Sequence, residues 1–153
     1  MAIPEGWTQR TIGELAVLRR GLTWRKDQEC ESLVSDSLPV LRIPNVQQRL
    51  VLDDVLRVRG VTQTDRERYR VSVGSSLLVG SNGNPQRVGN CVFIDHGTEF
   101  LFASFLIAAS VANTNIEPGY LFRILASRSV QDSISEAVQG STGLKNINLT
   151  GLR

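Results

Sequence analysis

The chain has 153 residues, 41% hydrophobic and 21% charged, and seventeen Lys and Arg against fifteen Asp and Glu leave a net charge of +2. That is about one domain, long enough to bury a core without disulfides or a structural metal. Two cysteines far apart, Cys30 and Cys91, make neither a zinc-ligand pattern nor a CxxC pair, and His96 is the only histidine, which argues against a histidine metal site. No charged-then-apolar leader lies in Met1–Arg10 and no apolar run is long enough to span a bilayer, so a cytoplasmic protein with no membrane partner is expected.

In chain order, Ile3-Pro4-Glu5-Gly6-Trp7 opens with turn residues and an aromatic anchor. The apolar spacing of Thr11–Leu18 predicts a short helical turn leading into a strand. Arg19 to Lys26 reads as a basic loop with an embedded glycine and Trp24. Arginine or lysine beside an aromatic suits phosphate and base stacking, and it equally suits a surface cation–π pair. Leu38 to Pro44 reads as a buried strand bracketed by prolines. Leu50–Leu52 and Val55–Val58 predict a strand pair turning at Asp53-Asp54. Thr64 is the expected cap of a helix over 64–69.

Leu77 to Phe93 predicts a strand, a loop and a second strand. The loop carries Ser81, Asn82, Asn84, Gln86 and Arg87 among three glycines and a proline. Asn and Gln can make two directed hydrogen bonds to adenine, and Arg two to guanine. The same composition also describes an idle solvated loop. Asp95-His96-Gly97 predicts a turn. Phe100–Phe102 and Phe105–Ala109 are expected in the central core. Pro118 suits the first position of a helix that continues, kinked or as a second helix, through Val138. Gly140–Gly143 is expected to break it, with a last apolar segment from Lys145. Strands first, helices last and one helix inserted predict an α+β fold: a single mixed β-sheet domain with a C-terminal helical segment.

Catalytic patterns are sparse. A Ser–His–Asp or Cys–His arrangement would have to use His96, which sits in turn chemistry. The Gly80–Gly89 loop has neither the Gly-Lys-Ser/Thr of a phosphate loop nor the GxGxxG spacing. Asn84-Pro85-Gln86 is one proline and one aromatic short of an amino-methyltransferase motif. No cofactor is expected.

The landmarks together resemble one family, the target recognition domain of type I restriction–modification specificity subunits. Pro4-Glu5-Gly6-Trp7 and Thr11-Ile12-Gly13-Glu14-Leu15-Ala16 resemble its opening "P-x-G-W … L-G-E-I-A". Arg20-Gly21-Leu22-Thr23 resembles "S-G-x-T", and Leu38-Pro39-Val40-Leu41-Arg42-Ile43 resembles "I-P-W-V-R-I". Gly74 with Leu77-Leu78-Val79 and the glycine loop resembles "G-D-I-L-I-x-x-x-G". Pro118-Gly119-Tyr120-Leu121 resembles "P-x-Y-L", and Gly140 to Ile147 resembles "G-x-x-x-x-x-N-I". The order is kept across nearly the whole chain. Two positions depart: the strand aromatic is Val40 or Leu41, and the acidic residue after Gly74 is Ser75.

The resemblance implies a single recognition domain over 1–153, with the family's spacer helices absent or truncated after Arg153. It implies no catalysis, and readout of one half of a split site in double-stranded DNA. The implied partners are a methyltransferase (modification) subunit, a restriction subunit, and a second recognition domain or a second copy. Under it, Arg19, Arg20, Arg25 and Lys26 would contact phosphate. Arg42 and Asn45 would lie at a strand end. Asn82, Asn84, Gln86 and Arg87, with Ser81 beside them, would read bases, and Ser141, Thr142 and Lys145 would clamp the backbone. The competing readings are a non-catalytic protein-interaction or small-ligand domain and, last, a hydrolase using His96.

Overall fold

The computed structural model describes residues 2–31, 34–113, 115–139 and 145–146. The first turn of helix, α1 (Ile12–Leu15), runs directly into β1 (Ala16–Arg20). At its start the backbone N–H of Thr11 donates to Glu14 across 2.7 Å, which holds the Glu14 carboxyl below the usual range. The other strands are β2 (Glu29–Cys30), β3 (Leu38–Leu41), β4 (Leu56–Val58), β5 (Ser76–Val79), β6 (Ser81–Asn82), β7 (Cys91–Phe93), β8 (Leu101–Phe102), β9 (Leu106–Val111) and β10 (Lys145–Asn146). Helix α2 (Gln63–Tyr69) lies between β4 and β5, and α3 (Pro118–Leu125) and α4 (Arg128–Gln139) follow β9.

Among the described residues the strands form two four-stranded sheets and a short ribbon. The first sheet has the order β1-β9-β5-β7 and is antiparallel throughout. The second has the order β2-β4-β3-β8, with β3 and β8 parallel. The ribbon pairs β6 with β10. The α+β expectation holds, with its strands divided between two sheets.

Three layers explain the apolar pattern. One face of the first sheet sends Ala16, Leu18, Leu78, Ile107 and Ala109 against Leu121 and Leu125 of α3 and Ile134 and Val138 of α4. Each helix offers residues four apart, which lie on one face. The opposite face sends Leu77, Val79, Val92, Leu106 and Ala108 against Leu41 and Phe102 of the second sheet. The far side of that sheet buries Val40, Val58 and Leu101 with Leu22 and Ala103. Strands β5 and β9 are therefore covered on both faces, which is why they read as continuous apolar runs and show no alternation.

Several boundaries differ from the sequence reading. Arg19 and Arg20 belong to β1, paired with Ala108 and Ile107, because the ladder continues to the start of β9. Leu50 makes only an isolated bridge to Val46, so the strand pair turning at Asp53-Asp54 is absent and β4 pairs with β2 and β3. The cap of α2 is Thr62, whose hydroxyl accepts from the backbone N–H of Asp65 at 3.1 Å; Thr64 is already helical. Pro118 does occupy the first turn of α3. Trp7 is 73% exposed and does not anchor the core of the described residues. Phe105 leaves the core: it sits at the turn between β8 and β9 and is 50% exposed, while Phe102 and Leu106 are fully buried. The break expected at Gly140–Gly143 lies outside the described residues.

Candidate nucleic-acid interface

The ladder registers bring five strand ends together. Arg20, the last residue of β1, pairs with Ile107, and Val79, the last of β5, pairs with Leu106 at the start of β9. In the second sheet the last residues of β3 and β8, Leu41 and Phe102, are parallel partners. Backbone hydrogen bonds stitch the two sets: Leu22 N to Phe102 O, Ala103 N to Leu41 O, Ser104 N to Leu22 O and Gly80 N to Phe105 O, at 2.8–2.9 Å. The connections over 21–25, 42–49, 80–90 and 103–105 therefore leave the domain at one end.

The longest of these is the loop nominated from the sequence. Its foot is closed by Val79 N to Asn90 O and Gly89 N to Val79 O, both 2.8 Å. Val88 packs with Ile134 and Val138, and Gln131 Nε2 donates to Gly89 O, so α4 carries the loop from behind. Lys145 pairs with Asn82 in the ribbon, which supports the other side. Within the loop, Asn82 Oδ1 accepts from Asn84 N at 2.9 Å and Asn84 Oδ1 accepts from Gln86 N at 3.0 Å. A 3-10 turn over Pro85–Arg87 follows.

These internal bonds change what the amides can offer. With their oxygens turned inward onto backbone N–H groups, Asn82 and Asn84 present chiefly N–H donors outward. That suits acceptors such as guanine O6 and N7 or thymine O4 better than the two-way pairing with adenine. Gln86 and Arg87 are exposed, and among the described residues neither side chain has a hydrogen-bond or ion-pair partner. Ser81 is 2% exposed with its hydroxyl buried and unpaired among the described residues, so it faces the interior, not a ligand.

The remaining nominees divide. Arg20 belongs to this end: its Nη1 reaches Ser104 O at 3.4 Å, and a Cβ added to Gly80 would lie 3.2 Å from it. Arg42 is there too, ion-paired with Asp54 at 3.3 Å. Asn45 does not reach the surface. It is 1% exposed, its Oδ1 accepts from Arg42 N, and its Nδ2 donates to Val51 O and Asp54 O at 2.8 and 2.9 Å. Every hydrogen-bonding group of that side chain is spent on shaping the loop over 42–54. Arg19 points to the other side of β1 from Arg20, where its Nη1 donates to the carbonyl of Arg68 at the end of α2. A cation at a helix C-terminus is favourable there. Arg25 pairs with Asp27 and Lys26 with Glu29, so this basic stretch carries its own counter-charges. The Lys26 ammonium, and then the indole N–H of Trp24, hold the Glu29 carboxyl below its usual range. Ser141 and Thr142 lie outside the described residues.

Two features at this end were not nominated. Phe105 projects beside an apolar hollow of about 220 Å³ lined by Trp24, Arg42, Ile43, Pro44 and Ala103. Gln47, Gln48 and Arg49 are exposed on the loop after β3. The signal for Phe105 was Ser104, a small polar residue interrupting two apolar runs, which marks a turn whose next residue can face outward. Elsewhere, Asp95 and His96 pair with each other on the surface, the histidine holding the Asp95 carboxyl low. Among the described residues no three of His, Cys, Asp and Glu converge as a metal site, and no helix is long and apolar enough to cross a membrane.

No protein-family model matches the chain. It is 26% identical over 147 residues to the specificity subunit of the type I restriction enzyme StySPI from Salmonella potsdam, a match covering 95% of this chain and 30% of that subunit. It is 27% identical over 104 residues to the EcoKI specificity subunit from Escherichia coli, covering 67% and 22%. The chain is thus similar in sequence to type I specificity subunits. Among solved structures, one of a type I R-M system described for its complex assembly and conformational transition superposes at TM-score 0.69, with 14% identity, over 99% of this chain and 33% of that one. The type I S subunit from M. genitalium superposes at 0.58 with 13% identity, over 99% and 34%. These two share the fold. The likeness to a specificity-subunit recognition domain, drawn from the ordered landmarks, is borne out. The chain spans less than a third of the length of the curated subunits it matches.

Proposed function

We propose that the loop-bearing end of the two sheets reads DNA sequence, as the recognition module of a type I restriction–modification specificity subunit. Its ligand is one half-site of double-stranded DNA. The module does no chemistry of its own and directs a methyltransferase subunit and a restriction subunit, working with a second recognition domain or a second copy. The observation that carries this reading is the similarity to a type I specificity subunit along 95% of the chain. The loop end supports it in physical terms. Arg87 supplies an unspent guanidinium for guanine or phosphate, Gln86 an unspent amide, and Asn82 and Asn84 outward donors, on a foot braced by α4. Arg20 and Arg42 flank them.

The test is binding of the 153-residue chain to a pool of random duplexes across a salt series. The expected result is enrichment of one short sequence, with log K falling linearly in log salt at a slope of about −0.9 per phosphate contacted. A chain that retains no duplex even at low salt does not read DNA. A small net charge predicts weak binding by one module and a large gain when two are joined.

A further inference from the structure

We infer that the hollow beside Phe105 is a seat for the C5-methyl group of a pyrimidine in the DNA major groove, making Phe105 a specificity-determining residue. The inference rests on the reading of this end as a DNA-reading surface and names what one part of it recognises.

The hollow is built from Trp24, Ile43, Pro44, Ala103 and Phe105, with Arg42 alongside. Apart from Arg42 its lining is apolar, at an end of the domain where Gln47, Gln48, Arg49, Gln86 and Arg87 are exposed. Of the groups that base edges present in the major groove, hydrogen-bond donors and acceptors account for all but one. The exception is the methyl at C5 of thymine, or of 5-methylcytosine. An apolar seat with the Arg42 guanidinium at its edge is complementary to that group and to no other on a groove edge. The hollow is open to the surface, about 220 Å³, and a methyl with its adjoining ring edge can enter it.

Phe105 is half exposed, yet its place in the turn is rigid. Its carbonyl accepts from Gly80 N, Ser104 N donates to Leu22 O, and Leu106 N donates to Ala103 O. The ring is thus held out from a backbone fixed on both sides, so little conformational freedom is lost when a ligand covers it. Phe102 and Leu106 are fully buried, and burying Phe105 as well would gain apolar area. Trp24 is oriented by its indole hydrogen bond to Glu29 at 3.1 Å, and so keeps its ring available to the hollow's wall.

The experiment starts from the duplex that the 153-residue chain selects from a random pool. Each thymine in it is replaced in turn by uracil, which removes only the methyl. One position is expected to lose about four-fold in affinity, the free energy of burying one CH₂-sized group. At that position 5-methylcytosine should bind better than cytosine by a similar factor, which separates the methyl from the rest of thymine. Phe105→Ala should bind the thymine and uracil duplexes equally while keeping its preferences elsewhere. Phe105→Leu, which retains an apolar wall, should keep part of the ratio and guards against loss of folding. A selected duplex indifferent to every uracil, or a Phe105→Ala variant with the full thymine-to-uracil ratio, overturns the methyl seat and leaves DNA reading standing. If no duplex is selected at all, both fail together.

Discussion

The side-chain amide of Gln131, on α4, donates to the carbonyl of Gly89 at the foot of the 80–90 loop across 2.9 Å, and to the carbonyl of Leu125 at 2.8 Å. One side chain thus ties the helical layer both to the end of α3 and to the loop proposed to meet DNA. Gln131→Met keeps the length and shape and removes both donors. Two carbonyls of buried residues then lose their partner, so a loss of about 1–3 kcal/mol is expected, read as a lower urea midpoint with an unchanged m-value. Hydrogen exchange should show the loss of protection concentrated at the foot, at the amides of Gly89 and Val79. Uniformly faster exchange, with the foot no worse than the rest, would count against a bracing role.

Two glycines of the same loop should behave oppositely. Gly89 has φ +94°, and a Cβ there would lie 2.9 Å from Gln131 Oε1 and 3.2 Å from Ile134 Cγ2. Gly83, at the tip, has nothing within 4 Å of that position and no positive φ. Gly89→Ala is expected to destabilise by more than about 1 kcal/mol through backbone strain and the clash, and Gly83→Ala to be neutral or stabilising by about 0.4–1 kcal/mol through the unfolded chain. Paired thermal melts decide it. Equal costs would mean that α4 does not constrain the foot.

Asn45 is a matter of stability, not readout. Asn45→Ala leaves Arg42 N, Val51 O and Asp54 O without their partner, and a loss of about 1–3 kcal/mol is expected. Any DNA-binding defect should follow the unfolded fraction and should leave the preferred sequence unchanged. A shifted preference in a fully folded variant would return Asn45 to the reading surface.

This division marks how far the sequence was legible. The strand at Leu77–Val79, the hairpin after it and the proline at the start of α3 follow from local chemistry, and all three are present. The ordered landmarks were enough to place the family likeness, because spacing survives where identity falls to 26%. Pairing was not legible. The parallel contact of β3 with β8 joins residues about sixty apart, and nothing local in either strand specifies it. That contact puts β8 in the second sheet while β9 lies in the first, with Phe105 at the turn between them. Polar type alone could not separate Asn45 from Asn84, since a buried loop-shaping amide and an exposed one share the same chemistry.

The two cysteines should differ in reactivity. Cys91 lies in β7, and burial pushes its thiol up to about 12. A folded value above the ordinary thiol value favours the protonated form in the native state. Its contribution to stability is therefore complete below about pH 9 and is lost as pH rises toward about 12. At pH 8 iodoacetamide should modify Cys30 first, while Cys91 reacts only on unfolding, since the thiolate is the nucleophile. Mass spectrometry of the labelled peptides checks the order. Equal labelling of both in the folded protein would show the β7 edge open to solvent.

Arg87 and Arg25 supply the sharpest contrast on the proposed interface. Both are exposed arginines in loops, and only Arg25 is already paired, through Nε and Nη2 with the two carboxylate oxygens of Asp27 at 3.1 and 3.2 Å. An exposed pair of this kind contributes little to stability, so Arg25→Ala should leave the fold unchanged to within about 0.5 kcal/mol. Loss of Arg25 leaves the Asp27 carboxylate uncompensated, so any loss of DNA binding should be equal for all sequences, fade as salt rises and leave the preferred sequence unchanged. Arg87→Ala removes a guanidinium that has no partner among the described residues. If that group contacts phosphate, affinity falls for every duplex alike and the salt slope drops by about 1. If it reads a guanine, the loss is about 1–3 kcal/mol at one position, with relaxed preference there and little change elsewhere. A salt series on the selected duplex and its single-base variants separates the two outcomes. Equal binding by Arg87→Ala and the parent chain would remove the 80–90 loop from the reading surface.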